Sequence, residues 1–322
     1  MKDAEFQGLV AQLGGLSEVQ RGALLEALKS KRPAAEALKL IEARFDAAPC
    51  CGHCGSHAHQ SWGRASNLKR YRCKDCRRTF NALTGTPLAQ LHRRDVWLAY
   101  GQALADGVSL RKAAKRCRID LTTSFRWRHR FLATAQDKKA RSLAGVVEAD
   151  ETFFLRSQKG SRKIAGRAPR KRGGVARKRG LSEEQVPVLI ARDRSTATTD
   201  QILPDLKAET IARALEPIVA RDALLVSDGA ACSSYRSFAN GAGILHVGLN
   251  TSAGERRWGV YHIQNVNAYA SRLKQWLRRF RGVATRYLPS YLGWRRMIDR
   301  EGDRLTACFC IATAAEHSPR ST

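Results

Sequence analysis

Apolar residues recur at helical spacing through the first 48 positions. FQGLVAQL is followed by SEVQRGALLEALK, where Ser17 and Gln20 are placed for a capping box, and then by AAEALKLIEARF, which stops before Pro49. This predicts a helical segment over 1–48 with no chemistry of its own. A second helical stretch covers 90–135. RRDVWLAYGQALADG ends at Gly107, SLRKAAKRC follows, and after a short turn, RID, comes LTTSFRWRHRFL. From residue 144 the period changes. GVVEADETFF (145–154) is a short apolar run carrying Glu148, Asp150 and Glu151, and VPVLIARDR (186–194) and TATTDQIL (196–203) read as further strands. KAETIARALEPIVA (207–220) is helical by period, ALLVSD (223–228) is a buried strand closing on Asp228, SSYRSFAN is helical, and ILHVGLN (244–250) is a strand. A long helix is expected at 264–281. The order is three strands, helix, strand, helix, strand, helix, which predicts a mixed α/β sheet. A carboxylate ends the first strand and another ends the fourth. The tail, 286–322, reads as amphipathic helix packing on that domain.

At 322 residues with 43% hydrophobic content, the chain can support two or three domains with a sizeable core. The expected divisions are a helical segment 1–48, a cysteine-rich stretch 49–82, helices 90–135, an α/β domain 144–285 and a helical segment 286–322. Charge narrows the function. Lys and Arg number 57 against 29 acids, a net of +28, where solubility alone asks for a magnitude of about 2–8 in a small domain. Such a field favours polyanions. No run approaches the ~18 apolar residues of a membrane-spanning helix, and the opening MKDAEFQGLV lacks the apolar core of a secretion signal. The expected location is the cytoplasm, associated with the nucleoid when bound to DNA. The stretch 156–180 carries eleven Lys or Arg, no acid and several glycines. It cannot bury a core, and is read as a mobile insertion contacting nucleic acid through Lys171, Arg172, Lys178 and Arg179.

In a reducing cytoplasm the nine cysteines are not read as disulfide formers. Cys51 and Cys54 make one CxxC and Cys73 and Cys76 another, with 18 residues between them, the spacing of a four-thiolate zinc ribbon. With no open position, the zinc would be structural. His53, His57 and His59 are read as loop residues, Cys50 has no assigned role, and Cys117, Cys308 and Cys310 are read as packing. Lys69, Arg70, Arg72, Lys74, Arg77 and Arg78 stud the ribbon and suit phosphate contacts. Beside it, the helices around RID suit a helix-turn-helix whose second helix offers Thr122, Thr123, Ser124, Arg126, Arg128 and His129 to DNA, with Arg126 and Arg128 as the basic contacts.

In NVNAYASRLK, Asn267 and Lys274 stand seven residues apart, almost two helical turns, and so share one face; Asn265 points the other way. Two strand-end aspartates brought side by side make an oxygen site for Mg2+ or Mn2+.

These motifs together resemble the bacterial insertion-sequence transposases of the DDE superfamily, in the group with an N-terminal zinc ribbon and an Asp, Asp, Asn, Lys set. The resemblance is carried by CGHC…CKDC with RRTFNALTGTPL after it, VEADETFF, VPVLIARDR, LLVSDGA and HIQNVNAYASRLKQWLRRFRGVATRYLPSYLGW. It runs from about residue 49 to 298. It implies an RNase H-like catalytic domain over 144–285, where the strand order brings the first and fourth strands together. Asp150 and Asp228 would be ligands for two Mg2+ or Mn2+ ions per site, and Asn267 would stand where most of the superfamily has a glutamate. Lys274 would bind DNA near the scissile phosphate. The rival carboxylates are Glu148, on the face of Asp150, Glu151 on the other, Asp193, Asp200 and Glu255, with His262 a further possible ligand. Asn267 is open to three readings: metal ligand, water positioner, or relic of a lost glutamate. The implied partners are double-stranded DNA, at the terminal inverted repeats and the target, and further copies of the chain, a homodimer or higher on DNA. The competing reading is a non-catalytic DNA-binding regulator derived from a transposase.

Overall fold

A computed structural model describes residues 3–164, 166, 168–169, 174–178, 180–229 and 232–316. The chain divides into two compact units, one built from 1–131 with 305–322 and the other from 132–304.

In the first unit, α1 (Asp3–Gln12) precedes α2 (Glu18–Ala47). The capping box forms: Ser17 N donates to Gln20 Oε1 at 2.9 Å and Gln20 N to Ser17 Oγ at 3.3 Å. The two runs expected as separate helices after Ser17 join into one 30-residue helix. The helix runs on through Pro33 in spite of that residue's missing amide; no Gly or Asn stop lies beside it and strong helix formers flank it on both sides. A three-stranded antiparallel sheet follows: β1 (His59–Ala65), β2 (Leu68–Cys73) and β3 (Thr79–Phe80). Phe45 of α2 meets Tyr71 and Phe80 at centroid distances of 5.5 and 6.1 Å, so the sheet packs on the end of α2. Then come α3 (Trp97–Ala105), α4 (Leu110–Cys117) and α5 (Leu121–Phe131). Ser109 caps α4, and Arg118 ends it in the left-handed region at φ 49°. Trp97, Tyr100, Trp127 and Phe131 form the buried aromatic core of these helices. The helix α10 (Ala307–Ala314) packs on α3.

The second unit holds a five-stranded mixed sheet. Its strands are β4 (Val146–Leu155), β5 (Gln185–Asp193), β6 (Thr198–Ile202), β7 (Leu224–Asp228) and β8 (Leu245–Leu249), in the order β6-β5-β4-β7-β8. β4 pairs antiparallel with β5 and parallel with β7, so the first and fourth strands of the unit are neighbours. The helices are α6 (Ala208–Leu215), α7 (Cys232–Ala242), α8 (Gln264–Arg278) and α9 (Leu288–Glu301). α6 ends five residues before the expected 220, because Pro217 cannot continue it.

The central strand alternates strictly. Val147 and Ala149 are fully buried in a core with Ile211, Leu225, Tyr235 and Phe238. Glu148 and Asp150 point to the opposite face, where α8 lies against β4 and β5. Two ion pairs tie the sheet to α9: Arg192 to Asp299 at 2.7 Å, with Asp299 half-buried, and Arg296 to Asp200, which is buried. The tail expected to pack as one segment is divided. α9 belongs to the sheet unit, with Gly293 so close to Ala135 O that an added Cβ would sit 2.4 Å from it. α10 belongs to the first unit. Among the described residues no helix is long and apolar enough to cross a membrane.

Candidate active site and cysteine cluster

Asp150 and Asp228 stand side by side. Ala149 pairs with Ser227 in the parallel β4–β7 ladder, so the next residue on each strand is an aspartate, on the α8 side of the sheet. Strands lie about 4.8 Å apart, close enough for two carboxylates to share one cation. The chain must then turn tightly after Asp228. A Cβ on Gly229 would lie 2.7 Å from Leu249 O and 2.8 Å from Asn250 Cα, which only glycine avoids. Thr251 Oγ1 donates to Asp228 Oδ1 at 2.7 Å, and Glu151 N donates to Asp150 Oδ1 at 2.8 Å.

Electrostatics mark the same place. Burial, then the charge of Glu151, then that of Asp228 push the Asp150 carboxyl up to about 7; the Glu151 amide and Lys274 pull the other way. Glu151 is itself raised, by burial and by Asp228, although the Tyr235 hydroxyl donates to its Oε1 at 2.7 Å. Asp150 and Asp228, neighbours on one face of the sheet, offer carboxylate oxygens of the kind that hold a divalent cation. The residues fit Mg2+ or Mn2+.

Lys274, exposed on α8, is close enough for its charge to act on Asp150. Burial lowers its ammonium, and Asp150 raises it. Asn267 lies on the same exposed side of α8, with Val266, Tyr269, Leu273, Trp276 and Leu277 buried on the other. Asn265 stands opposite Asn267 and Lys274, as the helical wheel implies, and so faces the sheet. At the first turn its side chain bends to Glu148.

The rival carboxylates have other work. Glu148 is fully buried; it accepts from Asn265 N (2.8 Å), Asn265 Nδ2 (2.9 Å) and Val266 N (3.0 Å), and pairs with Arg194 and His262. Asp193 accepts from Ser195 Oγ and Ala197 N, Asp200 pairs with Arg296, and Glu255 accepts from Asn250 N at 3.0 Å. Sequence reasoning weighed Glu148 only as a metal ligand. Its position two before Asp150 gave its face, but only the fold shows that the N-terminus of α8 arrives there. Nothing in the sequence pointed to Thr251 or Tyr235.

In the first unit the ligand atoms of Cys51, Cys54, Cys73 and Cys76 all lie within 4.8 Å of one another. Cys51 Sγ is 3.6 Å from Cys76 Sγ, and Cys54 Sγ is 3.7 Å from Cys73 Sγ. Four thiolates about 2.3 Å from a tetrahedral Zn2+ would be separated by about 3.8 Å. Burial raises the Cys73 thiol, but the amides of Cys76 and Asp75 and the neighbouring Cys54 and Cys76 outweigh it, leaving it lowered to about 6. The set fits a closed metal site. Gly52 lies under Thr84 O, where a Cβ would sit at 2.1 Å.

Of the expected DNA contacts, Arg126 is exposed on α5 and Lys178 is exposed. Arg128 is a correction: it is fully buried, and its Nη2 donates to Val108 O at 2.8 Å. It sits one position past Trp127 on the inward side of α5, where the aromatic core encloses it. Lys171, Arg172 and Arg179 lie outside the described residues.

Residues 142–295 match the family described as the ISXO2-like transposase domain. A protein of Halobacterium salinarum, described as an uncharacterised protein in transposable element ISH50, is 29% identical over 267 residues, 82% of this chain and 88% of that protein. Among solved structures, a Mos1 transposase paired-end complex with the left transposon end is 15% identical, covering 68% of this chain and 79% of that one at a TM-score of 0.24. A pre-cleavage Mos1 transpososome is 13% identical, covering 69% and 79%, also at 0.24. Superpositions that loose add nothing to the argument from the site.

Proposed function

We infer that this chain, an insertion-sequence transposase of the DDE class by its ISXO2-like match over residues 142–295, is a catalytically competent enzyme that cuts and joins DNA at the ends of its element. The observation carrying this is the pairing of Asp150 with Asp228 on adjacent parallel strands, with the charge of Lys274 acting on Asp150. On this reading the sheet unit is an RNase H-like catalytic domain, and Asp150 and Asp228 hold two Mg2+ or Mn2+ ions.

Bound there, the two cations supply an activated water and neutralise charge on the transferring phosphoryl group. The protein's part is to hold and orient. Asp150 and Asp228 fix the cation positions from rigid strands, and Thr251 keeps the Asp228 carboxylate in one rotamer. The Lys274 ammonium donates to a non-bridging phosphate oxygen. Asn267 offers a neutral carbonyl oxygen or an amide N–H, so it suits a weak ligand or the orientation of water. Water attacks phosphorus, a P–O bond forms, and the bond to the bridging 3′-oxygen breaks, leaving a 3′-hydroxyl and a 5′-phosphate. The 3′-hydroxyl oxygen then attacks a target phosphorus, its bond to phosphorus replacing that of the target's 3′-oxygen, which leaves as a 3′-hydroxyl; no covalent enzyme intermediate is needed.

The four cysteines hold a structural Zn2+ as a ribbon, and α4 and α5 act as a helix-turn-helix with Arg126 on DNA. The basic stretch 156–180, with Lys171, Arg172, Lys178 and Arg179, lies along phosphates. The partners are double-stranded DNA at terminal repeats and target, and further copies of the chain on paired ends.

The test is a nicking assay on plasmid carrying the element's ends, with Mg2+. Wild type should nick, while Asp150→Ala and Asp228→Ala should bind the DNA and leave it intact. Binding without nicking by the wild type would establish the regulator instead.

A further inference from the structure

The turn leading into α8 is an exposed aromatic tip that the site above does not use. Trp258 N donates to Tyr261 O at 2.9 Å, and Tyr261 N to Trp258 O at 3.0 Å, closing a two-residue turn with Gly259 at φ 58°. The loop holds out Trp258 at 66% exposure and Val260 at 73%. The two lie two residues apart on one loop tip, beside Arg256 and Arg257. The tip is also fixed. Arg194 Nη2 donates to Val260 O at 3.2 Å, its Nη1 lies 2.8 Å from His262 Nε2, and its Nε pairs with buried Glu148 at 3.3 Å. Glu148 is two residues from Asp150 and binds the start of the helix that carries Asn267 and Lys274. The tip is therefore tied through Arg194 and Glu148 to the strand holding the catalytic aspartate. Arg256 and Arg257, both exposed, immediately precede it.

An exposed indole that follows two exposed arginines in the chain suits one ligand chemistry: an unpaired nucleobase, stacked on the ring, with its neighbouring phosphates on the arginines. A base inside a duplex is stacked on its neighbours and offers only its edges. Its π-face is free at an end, a nick or a splayed step, which is what a strand-cutting site creates. A second copy of the chain is the poorer occupant, because it would bring the same two arginines against these. Resting on the transposase reading above, we propose that Trp258 is a stacking platform for an unpaired base of the DNA strand beside the active site, with Arg256 and Arg257 holding its phosphates.

The experiment compares a fluorescein-labelled 30-base-pair duplex with the same duplex ending in a short unpaired fork, the fork carrying 2-aminopurine. Wild type should bind the fork about tenfold more tightly than the blunt duplex and quench the 2-aminopurine. Trp258→Phe should keep much of both. Trp258→Ala and Trp258→Leu, the second apolar but without a flat face, should lose both while binding the blunt duplex within twofold of wild type. Fork preference and quenching retained by Trp258→Ala would overturn the proposal. So would a change in sedimentation of Trp258→Leu with fork discrimination intact, which would make the tip a protein contact. The transposase reading fails separately, through the absence of Mg2+-dependent nicking by wild type.

Discussion

Glu148 binds Asn265 twice, Oε2 accepting the backbone amide at 2.8 Å and Oε1 the side-chain amide at 2.9 Å. A buried carboxylate from β4 thereby occupies the N-terminus of α8, taking two free amides there and meeting the positive end of the helix dipole. The other end is held from the same strand's continuation. Lys159 Nζ donates to the carbonyls of Phe280, Arg281 and Gly282 at 3.0, 3.2 and 2.7 Å. An anion at the start and a cation just past the end set the helix lengthwise against the strand that carries Asp150.

Removing Glu148 should therefore loosen α8. Glu148→Ala leaves buried amides unpaired and Arg194 without its partner, and should cost about 3–5 kcal/mol. Glu148→Gln retains an acceptor and should cost clearly less. Denaturant unfolding of the three proteins checks the ranking, and equal stability of Glu148→Ala and wild type would remove the clamp.

Asp150 should oppose folding when no metal is present. Its folded carboxyl, raised to about 7 against about 3.9 unfolded, holds its proton more tightly in the fold. The sign follows from linkage: between about pH 4 and 7 the folded state binds the extra proton, so stability of the metal-free protein falls as pH rises and the loss is complete above 7. Asp150→Asn removes that cost, and in EDTA at pH 8 should be more stable than wild type by about 2–4 kcal/mol. Added Mg2+ should narrow the gap by stabilising wild type alone. Thermal melts with and without Mg2+ measure both.

Asn265 and Asn267, two residues apart, should separate by readout. Asn265→Ala removes the bond to Glu148 and should lower the melting temperature by several degrees, a cost of about 1–2 kcal/mol. Asn267→Ala touches an exposed residue and should melt like wild type while the nicking rate falls at least tenfold. A wild-type nicking rate in Asn267→Ala would leave the relic reading of that residue.

Much of the sheet was legible because its strands are short apolar runs bounded by turns, and Asp228 does end its run; Asp150, expected at a strand end, lies mid-strand because β4 continues to Leu155 beside β5. The face of Glu148 followed from strand alternation in the same way. What arrives at that face did not. Asn265, Lys159 and Arg194 come from separate segments, and no local pattern encodes their meeting. The helical wheel put Asn265 opposite Asn267 and Lys274, which its bond to Glu148 bears out, but it could not name Glu148 as the partner. Arg128 was read with Arg126 as a DNA contact, although residues two apart on a helix face nearly opposite ways; it reads as surface until neighbouring helices close over it.

The cysteine cluster predicts about one zinc per chain by elemental analysis. Cys76→Ser leaves three thiolates and should lower zinc retention against a chelator at least tenfold. Because Phe45, Tyr71 and Phe80 pack the ribbon on α2, zinc loss should also destabilise that end of the first unit, seen as protease cleavage between 50 and 80. A metal-free protein resisting cleavage there would count against a structural metal.

Arg126 and Arg128, both expected on DNA, should behave as opposites. Arg126 is exposed on α5, so Arg126→Ala should melt within about 0.5 kcal/mol of wild type. If it contacts a phosphate, it should weaken DNA binding across sequences and reduce the salt slope of log K by about one. Arg128 is enclosed by the helical core, with its guanidinium on Val108 O. Arg128→Ala should cost about 2–4 kcal/mol by emptying packed volume and leaving that carbonyl without its donor, while Arg128→Met, which refills the space, should recover part of it. At a temperature where Arg128→Met is fully folded, its DNA affinity and salt slope should match wild type. A Met variant that melts normally and binds DNA weakly would put Arg128 back at the interface and require α5 to turn its buried side outward on DNA. The burial of Trp127 and Phe131 on that side opposes such a rotation.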